Sequence, residues 1–199
     1  MMETDPWLDR WLPLIAENAL DSTVLELGCN AGRDTAHLAQ AGFHVVATDI
    51  SRDALQACHR AVPSALLLCH DLREPLPFAD GVFGVIVASL CLHYFDWNKT
   101  REIVAGIHRC LSPGGVLLCR VNSTRDVHHG ADGAVVLEPN YFLVEGRYSS
   151  RKRFFDRAAI DALFGPEWAR IAMEEMTVDR YEKPKVVWEA VLRKAGARQ

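Results

Sequence analysis

Three carboxylates accompany three successive apolar runs: Glu26 within Val24-Leu25-Glu26-Leu27, Asp49 after His44 to Thr48, and Asp71 after Ala65 to Cys69. After the first run comes Gly28-Cys29-Asn30-Ala31-Gly32, a glycine turn that delivers a buried strand to the start of a helix. Such a turn offers unpaired backbone N–H groups and the positive end of a helix dipole to an anionic ligand group. An acid about 20 positions beyond it, here Asp49, is placed to take both hydroxyls of a ribose. One strand further on, in His70-Asp71-Leu72, a second acid can accept from the exocyclic amine of an adenine, while Leu72 offers a backbone N–H and an apolar face. Singly, Glu26 reads equally well as a strand residue, and Asp49 or Asp71 as a loop cap. Their repetition after three strands points to a nucleoside-bearing ligand.

The spacing also discriminates among such ligands. Dinucleotide sites use G-x-G-x-x-G, and counting from Gly28 puts Asn30 and Arg33 where the second and third glycines belong. A nicotinamide oxidoreductase is disfavoured on that count. A cofactor without a pyrophosphate needs only Gly28 for the tight bend and Gly32 for close backbone approach. S-Adenosylmethionine fits, because its amino-acid end carries a carboxylate for N–H donors and an ammonium for carbonyls and an acidic network anchored by Glu26.

Four stretches in order, "VLELGCNAGRD", "VVATDIS", "CHDLREPLPFADGVFGVIVASLCLHYF" and "HRCLSPGGVLLC", resemble the class I S-adenosylmethionine-dependent methyltransferases over residues 22–121. The spellings "GRD" and "LSPGG" are most similar to the small-molecule branch that includes tellurite-resistance type methyltransferases. The resemblance implies an α/β fold: a Rossmann-like, doubly wound, mostly parallel seven-stranded sheet with an antiparallel C-terminal hairpin and helices on both faces. It implies that Glu26, Gly28, Cys29, Asn30 and Gly32 surround the methionine part of the cofactor, Asp49 and Ile50 the ribose, and Asp71 and Leu72 the adenine. Ser89 and Leu90 would sit by the sulfonium, and S-adenosylhomocysteine would be the product. The family usually has glycine where Asn30 stands, but asparagine tolerates left-handed backbone angles, so the turn can survive.

Methyl transfer from a sulfonium is an in-line displacement that asks mostly for alignment and desolvation. A soft or deprotonated acceptor needs no base; for a hydroxyl or amine, His93 or Tyr94 is the nearest nominee. The setting Leu92-His93-Tyr94-Phe95 is equally consistent with packing. On the acceptor side, Trp11 and Tyr141 are candidate pocket walls. Arg147, Arg151 and Arg153 share a face if their run is extended and could there hold an anionic substrate; a solvated surface is the plain alternative. Tyr141, Phe142, Phe154 and Phe155 either line an acceptor pocket or cover the sheet. His128 and His129 would point to opposite sides of an extended segment with no third ligand nearby, so a solvated loop and no metal are expected.

These residues need a frame, and alternating apolar runs and helical-period segments supply one through residue 121. Strands are expected at 24–27, 44–48, 65–69, 83–88 and 116–121. One helix begins at Ser51 as N-cap, and another spans about 98–111 until Ser112-Pro113-Gly114-Gly115 ends it. Residues 122–155 break the rhythm and read as a substrate-side insertion; residues 156–164 form a helix, and 170–180 with 186–193 form strands. Trp7 and Trp11 at i and i+4 suggest an amphipathic N-terminal helix across one end of the sheet. Residues 1–20 and 122–155 are expected to cover the site and choose the acceptor.

With 199 residues, 49% hydrophobic and 24% charged, the chain reads as a single domain spanning 1–199. No apolar run approaches the roughly 18 residues of a membrane span. A net charge of −4, no Asn/Asp-Pro-Pro-Tyr sequence after the fourth strand and no Pro-Cys nucleophile argue against nucleic acid. Six scattered cysteines without C-x-x-C spacing read as reduced core residues. The expectation is a cytoplasmic monomer or homodimer acting on a small molecule, with a non-catalytic cofactor-binding regulator as the rival.

Overall fold

The computed structural model describes residues 6–129, 134–144, 150–179 and 181–196. Its strands are β1 (Thr23–Leu27), β2 (His44–Asp49), β3 (Leu66–Cys69), β4 (Phe83–Ser89), β5 (Leu111–Asn122), β6 (Val135–Glu138), β7 (Tyr141–Val144), β8 (Ser150–Arg153), β9 (Trp168–Val178) and β10 (Lys185–Lys194). Seven of them form one sheet in the order β3-β2-β1-β4-β5-β10-β9, while β6, β7 and β8 make a separate three-stranded sheet. The first five pair in parallel, and β10 runs antiparallel to both β5 and β9. The expected C-terminal hairpin is therefore present.

Helices cover both faces: α1 (Leu12–Asn18), α2 (Arg33–Gln40) and α3 (Arg52–Ala61) on one, α4 (Trp97–Cys110) and α5 (Arg157–Leu163) on the other. Covering both faces is why the central strands are mostly apolar, β4 without interruption from Val85 to Ala88. Along β4, Val85 and Val87 join the cluster containing Leu38, Leu55 and Cys58, whereas Ile86 and Ala88 join the cluster containing Ile103, Ile107 and Ile160. Ser51, Asp96 and Asp156 start α3, α4 and α5, each accepting a backbone N–H three residues on.

Three expectations change. Ser112-Pro113-Gly114-Gly115 is no free-standing turn: Leu111 ends α4 and already pairs with Phe83, and the strand runs through a register shift with Gly114 at φ 76°. Within residues 122–155, β6, β7 and β8 form a β-meander, tied to the main sheet where Phe155 N–H donates to the Asn122 carbonyl at 2.8 Å. The N-terminal segment is a 3₁₀ helix over Pro6–Trp11 that leads into α1. At three residues per turn, positions i and i+4 no longer share a face, so Trp7 and Trp11 part company. Trp7 enters the core, and Trp11 donates to Glu189 Oε1 at 2.8 Å beneath the Arg10 guanidinium.

Candidate functional site

At the end of β1 the chain turns through two positive-φ glycines, Gly28 at 68° and Gly32 at 83°, with Asn30 at 50° between them. Both glycines are also required sterically. A Cβ on Gly28 would lie 2.5 Å from the Cys91 Cβ, and one on Gly32 would lie 2.6 Å from the Cys58 Sγ. Asparagine occupies the left-handed position as its side chain permits, and its N–H donates to Asp49 Oδ2 at 2.8 Å. The other oxygen, Oδ1, accepts from Ser51 N–H at 2.9 Å. Two backbone donors thus fix the Asp49 carboxylate, and each oxygen keeps a lone pair for a hydroxyl donor.

Glu26 is buried beneath this turn and accepts from Thr35 Oγ1 at 2.6 Å. Burial first, and then the neighbouring Asp34 carboxylate, push its pKa up to about 8, although the Thr35 bond opposes the rise. Asp34 accepts from the Trp7 indole N–H at 3.1 Å. Across the turn, the buried Arg120 of β5 donates through Nε and Nη2 to Ser89 Oγ at 3.0 and 2.9 Å, and its guanidinium stacks 4.2 Å from the Trp7 ring centre. Leu90, at φ 57°, follows with its N–H on the Arg120 carbonyl.

These groups open onto a pocket of about 530 Å³. The turn from Gly28 to Ala31, with Glu26, Arg33 and Asp34, forms one wall, Ser89, Leu90, His93 and Tyr94 the floor after β4, and His129, Lys152, Tyr181 and Lys185 the far wall. Asp49 is not among the lining residues and meets them through the Asn30 N–H, and Ile50 is 57% exposed beside it. Asp71 is engaged locally: the Arg73 guanidinium grips it with Nε at 2.8 Å and Nη2 at 2.6 Å and holds its carboxyl below the usual range. Leu72 borders a neighbouring groove with Arg73 and Lys99.

His93 is buried, and its Nδ1 has no hydrogen-bond partner among the described residues. Burial, together with Lys185 and Lys152, holds its imidazole well below the usual histidine range, so it is neutral near pH 7. The Tyr94 ring lies against it at 4.4 Å between centres, with burial raising the phenol.

On the acceptor side the expectations need correcting. Trp11 is absent from the pocket, because its indole is spent on Glu189. Tyr141 is buried one layer behind, its hydroxyl donating to the Tyr94 carbonyl at 3.3 Å and the Arg153 guanidinium stacked 4.7 Å from its ring. Arg147 lies outside the described residues. Arg151 is exposed, and the strand's alternation turns its neighbour Lys152 into the pocket instead. Phe154 and Phe155 are core residues. His129 is no solvated loop residue: its Nδ1 lies 3.0 Å from Oδ1 of the buried Asp126, whose Oδ2 accepts from Lys185 Nζ at 3.1 Å. Among the described residues no cluster of three or more His, Cys, Asp or Glu side chains is arranged to hold a metal ion.

Sequence reasoning passed over Trp7, Asp34, Arg120, Asp126, Lys152, Tyr181 and Lys185. A lone arginine inside Val116-Leu117-Leu118-Cys119-Arg120-Val121 was a usable signal, since a charge in a buried strand requires partners. Lys185 carried no such mark.

The glycines that a Cβ would obstruct, the preserved left-handed turn and the buried acid facing the pocket fit S-adenosylmethionine, and Asn30 and Arg33 leave no dinucleotide turn. Residues 24–115 match the family model described as "Methyltransferase domain". An uncharacterized methyltransferase of Synechocystis sp. is 40% identical over 93 residues, which are 47% of this chain and 43% of that protein. The chain spans about half the length, or less, of the first curated relatives it matches. A crystal structure of an S-adenosylmethionine-dependent methyltransferase from Methanosarcina mazei matches with a TM-score of 0.79 at 17% identity, over 92% of this chain and 98% of that one. Another from Clostridium acetobutylicum gives 0.72 at 17%, over 98% and 93%. At such identity the likeness is one of fold. Residues 24–115 thus match a methyltransferase domain, and the chain shares the fold of the S-adenosylmethionine-dependent methyltransferase structures.

Proposed function

We propose that the protein transfers a methyl group from S-adenosylmethionine to a small-molecule acceptor, and that the pocket at the Gly28–Gly32 turn is where this occurs. The observation that carries the reading is the buried Glu26 carboxyl at a glycine turn that opens onto a pocket with a second, chemically different wall. In this reading Glu26, Gly28, Cys29, Asn30 and Gly32 surround the methionine part. Asp49 and Ile50 hold the ribose, Asp71 and Leu72 the adenine, and Ser89 and Leu90 stand by the sulfonium. When bound, the cofactor supplies an electrophilic methyl group.

The chain's own residues then orient the partners and keep water out. Arg120 fixes Ser89 through two hydrogen bonds, and Trp7 backs the pocket through Asp34. His93, neutral and buried, takes a hydrogen bond from an acceptor hydroxyl or its proton as the methyl group is transferred; an acceptor already ionised needs no base. Enclosure in a pocket of this size favours a small acceptor over nucleic acid. Free cysteines throughout, five of them buried, favour a reducing compartment such as the cytoplasm.

Isothermal titration with S-adenosylhomocysteine and, in parallel, NAD tests the reading. Saturable binding of the first alone is expected, weakened about 10- to 100-fold by Asp49→Ala, the range for charged hydrogen bonds. Binding of NAD, or of neither ligand, overturns it. Cofactor binding without methyl transfer to any member of a broad acceptor panel returns the protein to the non-catalytic alternative.

A further inference from the structure

We infer that the pocket selects an acceptor carrying an oxyanion, and that Lys152 of β8 and Lys185 at the start of β10 form the group that holds it. The inference rests on the methyltransferase reading and names its substrate class.

The lining carboxylates, Glu26 and Asp34, belong to the cofactor wall together with the Arg33 guanidinium, and the lining ammonium groups, Lys152 and Lys185, both belong to the other wall, to which no carboxylate among the described lining residues belongs. The electrostatic neighbours agree: Asp34 and Asp49 act on Glu26, whereas Lys185 and Lys152 act on His93. The cofactor wall, with charges of both signs, suits the zwitterionic end of a cofactor, and the wall with ammonium groups suits an anionic acceptor.

The two lysines are held differently. Lys185 Nζ donates to Asp126 Oδ2 at 3.1 Å, and the same carboxylate faces His129 Nδ1 at 3.0 Å. Lys152 donates to the His129 carbonyl at 3.2 Å, and no carboxylate of the described residues lies within ion-pair distance of it. The Lys152 ammonium on this partly enclosed wall is thus the charge that a ligand anion would meet first. Between this wall and the floor stands His93, whose buried Nδ1 has no hydrogen-bond partner among the described residues and is a polar atom left for a ligand. Lysine presents point charges on flexible stems, which suit any oxyanion and do not by themselves separate carboxylate from phosphate.

The rival is that these lysines hold the cofactor's own carboxylate, and one variant separates the two. With wild type and Lys152→Met, S-adenosylhomocysteine affinity is measured first. The cofactor-loaded proteins are then titrated with benzoate, succinate and phenyl phosphate, each beside its neutral counterpart, benzamide, succinamide or phenol. The expected result is unchanged cofactor affinity in the variant, binding of at least one anion and none of the neutral compounds to wild type, and a tenfold or greater loss of that anion in the variant. Which anion binds identifies carboxylate or phosphate as the source. A second variant, Lys185→Met with Asp126→Asn, removes the other ammonium without leaving its carboxylate unpaired, and the same loss is expected. The inference falls if neutral compounds bind as well as anions, if no anion binds the loaded wild type up to about 10 mM, or if Lys152→Met weakens the cofactor instead. Failure of wild type to bind S-adenosylhomocysteine at all would instead sink the methyltransferase reading.

Discussion

At the glycine turn the proposed cofactor-binding groups sit where parallel strands end, and the backbone holds them there: Asp49 by two N–H donors, Gly28 and Gly32 by their left-handed angles. On the far wall the lining groups are side chains projecting from β8 and β10, placed by strand alternation and by contacts such as Lys185 with Asp126. The first arrangement follows from topology and tolerates little change. The second depends on which side chain a short strand happens to turn inward, so acceptor choice can vary while the cofactor site stays fixed.

The comparison breaks most severely at Gly28. Gly28→Ala adds a left-handed penalty of about 1–2 kcal/mol and an overpacking term of about 1–3 kcal/mol against Cys91. Melting should fall by roughly 5 °C or more, and cofactor binding should be lost. Gly42→Ala is the control: its φ is 93°, but nothing lies within 4 Å of the added Cβ, so only the backbone penalty remains. Equal melting losses in the two variants would refute the steric account.

Next in size is Trp7→Phe, which keeps most of the packing but removes the indole donor from Asp34 at the pocket edge. A loss of about 1–2 kcal/mol by chemical denaturation is expected, with weaker cofactor binding. Trp11→Phe, which touches Glu189 instead, should leave cofactor affinity unchanged.

Glu26 gives a pH signature. Its folded pKa, about 8, exceeds the ordinary 4.5, so the folded state favours the protonated form. The associated stability is fully present below about pH 4.5 and is lost as pH rises toward 8. Thermal melts of the ligand-free protein from pH 5 to 8 should show this decline, and Glu26→Gln should flatten it. Because a ligand ammonium would favour the ionised acid, cofactor binding near pH 7 should release protons, visible as a buffer-dependent titration heat.

The smallest effect tests the register. Arg151→Ala should change stability by no more than about 0.5 kcal/mol and leave anion binding intact, in contrast to Lys152→Met. A loss at Arg151 equal to that at Lys152 would mean that the alternation of β8 is not what selects the pocket-facing residue.

The same contrast explains what could be read from the sequence. Glu26, Gly28 and Asp49 were legible because apolar runs mark buried strands and a parallel sheet puts its ligand groups just beyond them. The β-meander was not, because Ser150-Arg151-Lys152-Arg153 has neither apolar alternation nor strong strand propensity and is held by pairing with β7. Choosing Arg151 over Lys152 followed from knowing the period but not its phase. Choosing Trp11 over Trp7 followed from assuming 3.6 residues per turn where the chain takes three. The grip of Arg73 on Asp71 was not legible either, because sequence alone does not show which neighbour a carboxylate takes.

Trp7 has a further use. Its indole lies under a guanidinium 4.2 Å away and donates its N–H to a carboxyl group that lines the pocket, so two polar groups act on the ring from different directions. The emission energy of an indole shifts with the field across it, and a ligand entering beside Asp34 would change that field. The emission lost in Trp7→Phe is therefore expected to be the part that reports filling of the pocket, an optical gauge that needs no label.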